Sequence, residues 1–313
     1  MRFKYALQVL LANFRQVYKV LLYKLICLVI IFGACFAGLR ICYGDILKKA
    51  GITDVIRNAY LLVKNLFVSV DINVETFRTS VKIMSDYIAN HSGSLTCIIV
   101  ILSVTLLVYR FFSGMGNYAV GKAVNDHMSS LTHRGFLIYL TEGMGRNALS
   151  QLFSATVITA VNILEIALTF LIVHVLSPTL GIFAIFIAVA LFFAIDAVAR
   201  GLISDLAPAV ITSGSVKKGL QTIFRRPFKD FLTIASLYVV VEILAFYFTV
   251  TVCLFTLGVG LLILIPILSL FFVSVQFVHY YTVEKKKFYL SYDNVVVPKE
   301  LRDEEKLLNK MDI

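Results

Sequence analysis

The chain has 313 residues, of which 59% are hydrophobic and only 15% charged, and its mean hydropathy is +0.87. Soluble domains carry about 25% charged residues and need a largely polar surface at any size, so a soluble enzyme, a secreted disulfide scaffold and a disordered chain are excluded. The net charge of +10 sits mostly between apolar stretches, which points to an anionic inner membrane leaflet as partner and not to nucleic acid.

Residues 1–24 form a basic amphipathic leader with Arg2, Lys4, Arg15, Lys19 and Lys24 and no acid. A membrane helix needs about 20 mostly apolar residues. Six stretches satisfy this: Leu25–Tyr43, Leu95–Phe112, Leu152–Leu176, Leu180–Ala199, Phe231–Phe255 and Leu257–Val278. The first reads as a signal anchor, because its basic leader is long and Phe32-Gly33-Ala34-Cys35 is a poor cleavage box. Arg40 and Arg110 stand near span ends, where long basic side chains can snorkel. The expected fold is all-α: a polytopic membrane protein of six transmembrane helices in three hairpins, with the membrane domain over residues 25–278.

The loop 44–94 is nearly neutral, with six basic residues and five acids. Apolar residues recur at helical spacing through Ile52, Val55, Ile56, Tyr60, Val63 and Phe67, and again through Phe77, Val81, Met84 and Ile88. This predicts an external amphipathic helical loop, with Asp71 capping its second helix. Asn90-His91-Ser92 is a glycosylation sequon, a triplet frequent by chance. The segments 113–151 and 200–230 and the tail 279–313 are basic, whereas the two short turns on the opposite side carry no basic residue. The positive-inside rule then places both termini in the cytoplasm, at the plasma membrane. Ser113-Gly114-Met115-Gly116 and Gly143-Met144-Gly145 read as helix terminators. In the tail, Pro298 is expected to open a short helix bearing Leu301, Leu308 and Met311.

The sequence also repeats. Glu165 and Glu242 lie in the third and fifth spans, and each is followed, after thirteen intervening residues, by Thr-Leu-Gly (Thr179–Gly181 and Thr256–Gly258). His133-Arg134-Gly135-Phe136 parallels Lys217-Lys218-Gly219-Leu220. A parallel repeat and chance matching in apolar sequence account for this about equally well.

Both glutamates sit roughly 16–20 Å into their spans at about 1.5 Å per residue. A charge at that depth is costly, so each should be neutral, paired or hydrated. Asn162, one turn before Glu165, can hydrogen-bond its carboxyl. Asn162, Glu165 and Glu242 therefore form a candidate intramembrane polar site, with interhelical hydrogen bonding as the plainer alternative. Asp196 and Arg200 are spaced for an ion pair, Pro266 interrupts the sixth span, and Gln276 and His279 close it. No catalytic, cofactor-binding or metal-ligand motif is found: the five histidines (His91, His127, His133, His174 and His279) show no ligand spacing, and the five cysteines read as small apolar residues.

The run Leu206-Ala207-Pro208-Ala209-Val210-Ile211 followed by Lys218-Gly219-Leu220 resembles bacterial six-helix membrane proteins similar to the membrane domain of glycerophosphodiester phosphodiesterases and the YciC-like group, over about forty residues. The order span, amphipathic loop, span over residues 25–112 is reminiscent of YihY-like proteins. No phosphodiesterase domain accompanies the match, so the resemblance implies location and fold, and no activity. The expected function is a non-enzymatic membrane component assisting an envelope or transport process; the alternative is a small transporter or lipid-handling permease using Glu165 and Glu242. The bilayer is the expected partner, and a membrane-protein partner or a second copy of the chain is compatible with it.

Overall fold

The computed structural model describes residues 2–49, 51, 54–55, 57–58, 60–61, 64, 74–90, 92–181, 183–256, 258–291 and 294–298. The expected cap Asp71, His91 of the sequon, Leu257 of the second Leu-Gly turn and the tail helix beyond Pro298 lie outside them, as do Ile52, Ile56, Val63 and Phe67. The helices are α1 (Arg2–Ala12), α2 (Val17–Lys49), α3 (Val74–Asn90), α4 (Ser92–Ser130), α5 (Phe136–Arg146), α6 (Ala148–Leu180), α7 (Phe183–Ile203), α8 (Leu206–Ser213), α9 (Val216–Arg225), α10 (Phe228–Thr256) and α11 (Leu261–Val283). A hairpin of β1 (Phe288–Ser291) and β2 (Asn294–Val296) follows. Six of the helical stretches are long and apolar enough to cross a membrane, so the fold is that of an all-α polytopic membrane protein.

Glycines in left-handed backbone end several helices, because without a Cβ they adopt positive φ at no steric cost. Gly181 after α6 has φ 55° and Gly258 after α10 has φ 89°. The matched Thr-Leu-Gly triplets thus share one turn device. Their upstream counterparts differ: Gly135 is exposed before α5, whereas Gly219 is buried inside α9.

The chain forms two compact units. The first comprises residues 1–26, 111–156 and 197–313. Its core gathers Val9, Val20, Val124, Met128, Tyr139, Ile234, Tyr238, Leu270 and Phe277. The basic leader is part of this core. Ala6, Val9 and Leu10 of α1 are buried, α1 packs along α11, and Phe3 and Tyr5 meet the rings of Phe271 and Phe288 edge-on. The hairpin packs on α1 as well. The β-branched run Asn294–Val297, which reads from sequence as part of a solvated tail, contributes strand β2.

The glycine patch at 113–116 does not end a helix, as expected from sequence, but lies inside the 39-residue α4. Its glycines serve close approach instead. A Cβ on Gly114 would sit 2.7 Å from the Gln151 side chain, and one on Gly116 would sit 2.7 Å from the Tyr23 ring. Helix α4 is therefore roughly 58 Å long at about 1.5 Å per residue, well beyond one hydrocarbon thickness of about 30 Å.

The second unit comprises residues 27–110 and 157–196. Here α2 and α4 meet through Leu39 and Ile98, through the Phe32 and Tyr109 rings, and through Thr105, whose hydroxyl donates to Cys35 Sγ at 3.1 Å. Tyr43 (φ −134°, ψ 15°) breaks the helical geometry of α2 near its end. Asn58 donates to Ser80 Oγ on α3 at 2.7 Å. Many large apolar side chains face outward in both units, including Ile30, Phe36, Leu164, Ile166, Phe183 and Phe246. That is the surface a lipid-embedded bundle presents, since lipid tails solvate apolar groups as well as a core does.

Candidate functional site

Helix α6 turns Ile158, Thr159, Asn162 and Glu165 to one side, at the 3.6-residue period of a single face. Glu165 is 1% exposed. Asn162 Nδ2 donates to Glu165 Oε2 at 2.9 Å, and Asn162 Oδ1 accepts from Arg110 Nη2 at 2.7 Å. The amide is fixed at both ends: its oxygen faces a guanidinium and its nitrogen a carboxylate. Sequence reading gave Arg110 a snorkelling role at the end of a span. It faces inward instead, and completes a file of cation, amide and carboxylate within the second unit.

Glu242 belongs to the first unit, on the α10 face formed by Ile234, Ala235, Tyr238 and Val241. Its Oε1 lies 3.1 Å from Arg200 Nε, and the side chain is 6% exposed. The Arg200 guanidinium also lies 5.2 Å from the centre of the Phe272 ring, against which Tyr238 stacks. Arg200, matched by spacing with Asp196 on its own helix, thus reaches across to α10. At 3–4 Å and an effective dielectric constant of about 20, such a pair gains about 4 kcal/mol. Withdrawing each ion from water costs several kcal/mol. The two terms offset, so the pair fixes helix position more than it adds net stability.

A second buried charge pair had no counterpart in the sequence reading. Arg226 and Asp205 form an ion pair in which both side chains are at most 4% exposed. Arg226 Nη1 also donates to the Gly201 carbonyl at 2.7 Å, and Nη2 to Ser204 Oγ at 3.2 Å. The local sequence explains why Arg226 turns inward while Arg225 stays exposed. Pro227 disfavours helical backbone at the residue before it, and Arg226 adopts φ −63°, ψ 132°. The signal was present in Arg225-Arg226-Pro227, but only the fold shows which carboxylate it serves. Nearby, His279 is fully buried and Arg2 Nη1 lies 2.9 Å from its Nδ1. A guanidinium can only donate, so Nδ1 accepts and the ring proton is assigned to Nε2.

Outside the spans, Tyr139 on α5 donates to Asp126 Oδ2 at 2.8 Å and accepts from the Arg134 backbone N–H at 3.0 Å. Burial, reinforced by the Asp126 carboxylate, pushes its phenol up to about 12. Glu142 on the same helix pairs with Lys122 and, at 3.6 Å, with Arg134.

Among the described residues, no three of His, Cys, Asp and Glu gather as metal ligands. The named polar residues are therefore held in pairs and short files that can fix helices and carry hydrogen-bond order. No protein-family model, curated protein or solved structure matches the chain. Fold and polar geometry define it as a multi-pass helical membrane protein with buried charge pairs in its helix packing.

Proposed function

We propose that the chain is a non-enzymatic component of the plasma membrane that assists an envelope or transport process, with both termini cytoplasmic. One observation carries this reading. Both glutamates of the candidate site are matched by a basic residue of the same unit: Glu242 by Arg200 directly, and Glu165 by Arg110 through Asn162. A group that shuttles protons or binds cargo needs access to water or substrate; a buried group tied to neighbouring side chains holds helices together.

The test is a neutral replacement that keeps hydrogen bonding. Glu165→Gln, and the double variant Arg200→Gln with Glu242→Gln, should accumulate normally and complement a deletion strain. Normal folding with the deletion phenotype would instead support a proton-linked transporter or lipid-handling permease. Orientation is tested separately. Tags at either end should be protected from an impermeant reagent in intact cells, and a tag inserted between residues 71 and 75 should be labelled, as the distribution of basic residues requires.

A further inference from the structure

Helix α9 carries two side-chain stripes at four-residue spacing. Val216, Leu220 and Phe224 form one; Lys217, Gln221 and Arg225 form the other beside it. The buried face of α9 is held against α8, where Gly219 lies on Val210 and Leu206. The outer face borders an open groove of about 430 Å³ that Leu149, at the start of α6, also lines. Lys217, Lys218 and Arg225 have no acid within the helix and no ion-pair partner among the described residues. Phe224 is 81% exposed and Leu149 is 66% exposed.

We infer that this groove binds one anionic phospholipid of the surrounding bilayer, with an acyl chain along Val216, Leu220, Phe224 and Leu149 and its phosphate at Lys217 and Arg225. Two features select this occupant. The apolar floor is continuous with a membrane-crossing helix, because Leu149, Leu152 and Phe153 lead outward along α6. The polar residues of the rim, Lys217, Gln221 and Arg225, include two cations and no acid, which complements a phosphate and gives a zwitterionic headgroup less to bind. The inference requires the helices to lie in a bilayer, and it is independent of the role proposed for Glu165 and Glu242 and of the leaflet concerned.

The chain contains no tryptophan, so Phe224→Trp places a single fluorophore in the groove of the full-length protein. In phosphatidylcholine nanodiscs, phosphatidylglycerol with brominated acyl chains should quench it saturably, at a mole fraction about tenfold lower than brominated phosphatidylcholine requires. Adding Lys217→Gln and Arg225→Gln should erase that preference, whereas Lys48→Gln with Lys49→Gln should not. Equal quenching by the two lipids, or a preference that survives loss of both basic residues, overturns the inference. So does a tryptophan shielded from both lipids in a dimer, which would assign the groove to a second copy. Should the tryptophan variant misfold, native mass spectrometry of the wild-type chain draws the same distinction. The wild type should retain one phosphatidylglycerol where phosphatidylcholine at equal concentration is lost, and Lys217→Gln with Arg225→Gln should abolish the retention. Equal retention of the two lipids by the wild type overturns the inference as well.

Discussion

Arg2 and His279 stand 277 positions apart in sequence and 2.9 Å apart in space. Their contact marks where α1 docks on the last membrane helix. A segment that composition describes only as basic is therefore anchored by one polar contact and a row of apolar ones. Val9 is fully buried in that row, while Lys4 is exposed. Val9→Asp would bury an unpaired carboxylate and should prevent the protein from accumulating. Lys4→Glu, a larger change of charge, should leave expression and detergent melting temperature close to wild type.

Removing one partner of the Arg226–Asp205 pair leaves the other charge buried without its counter-charge. Arg226→Ala should therefore cost about 3–5 kcal/mol. Replacing both residues together, by Met at 226 and Leu at 205, should cost much less than the sum of the single changes. Thermal unfolding in one detergent, analysed as a double-mutant cycle, measures the difference. Additive losses would show that the two side chains do not act as a pair.

Gly219 gives a prediction whose sign runs against helix propensity. Alanine is better than glycine inside a helix by about 1 kcal/mol. Here its Cβ would lie 2.5 Å from Val210 Cγ2 and 3.4 Å from the Leu206 carbonyl oxygen. Overpacking of this kind costs about 1–3 kcal/mol, so Gly219→Ala should lower the melting temperature. Val210→Ala in the same chain should recover part of the loss, because it removes the nearest clashing methyl.

Tyr139 should make stability fall at alkaline pH. Its phenol holds a proton up to about 12 in the folded chain, against about 10 when unfolded. Between those values the folded state binds more protons than the unfolded state, so stability declines as pH rises. The contribution is intact below pH ~10 and gone above pH ~12. Melting curves of wild type and Tyr139→Phe should show the wild type losing stability more steeply across this interval. Parallel pH dependence would mean that Tyr139 ionises like an exposed phenol.

The six spans were legible because about 20 consecutive apolar residues are a signal that no local context overrides. Intramembrane Glu165 and Glu242 stood out for the same reason, against an apolar background, and both are buried. Their partners did not stand out. Arg110 sits close enough to a span end for snorkelling to explain it, Arg200 is spaced for an ion pair with Asp196, and only helix packing shows their contacts with Asn162 and Glu242. The glycines at 114 and 116 misled for a related reason. A glycine that ends a helix and one that admits a neighbouring side chain look alike until the neighbour is known. The hairpin over Phe288–Val296 was hidden because three or four residues are too few to establish an alternating pattern.

The meeting of Tyr5 with Phe288 sets a schedule for biogenesis. Helix α1 is synthesised before α11 and β1, two elements it packs against. Until translation passes that point, the apolar side of α1 lacks the cover that α11 and β1 supply. The first unit can close only after residue 288 has been made. A chain interrupted before residue 288 would leave α1 without its strand partner.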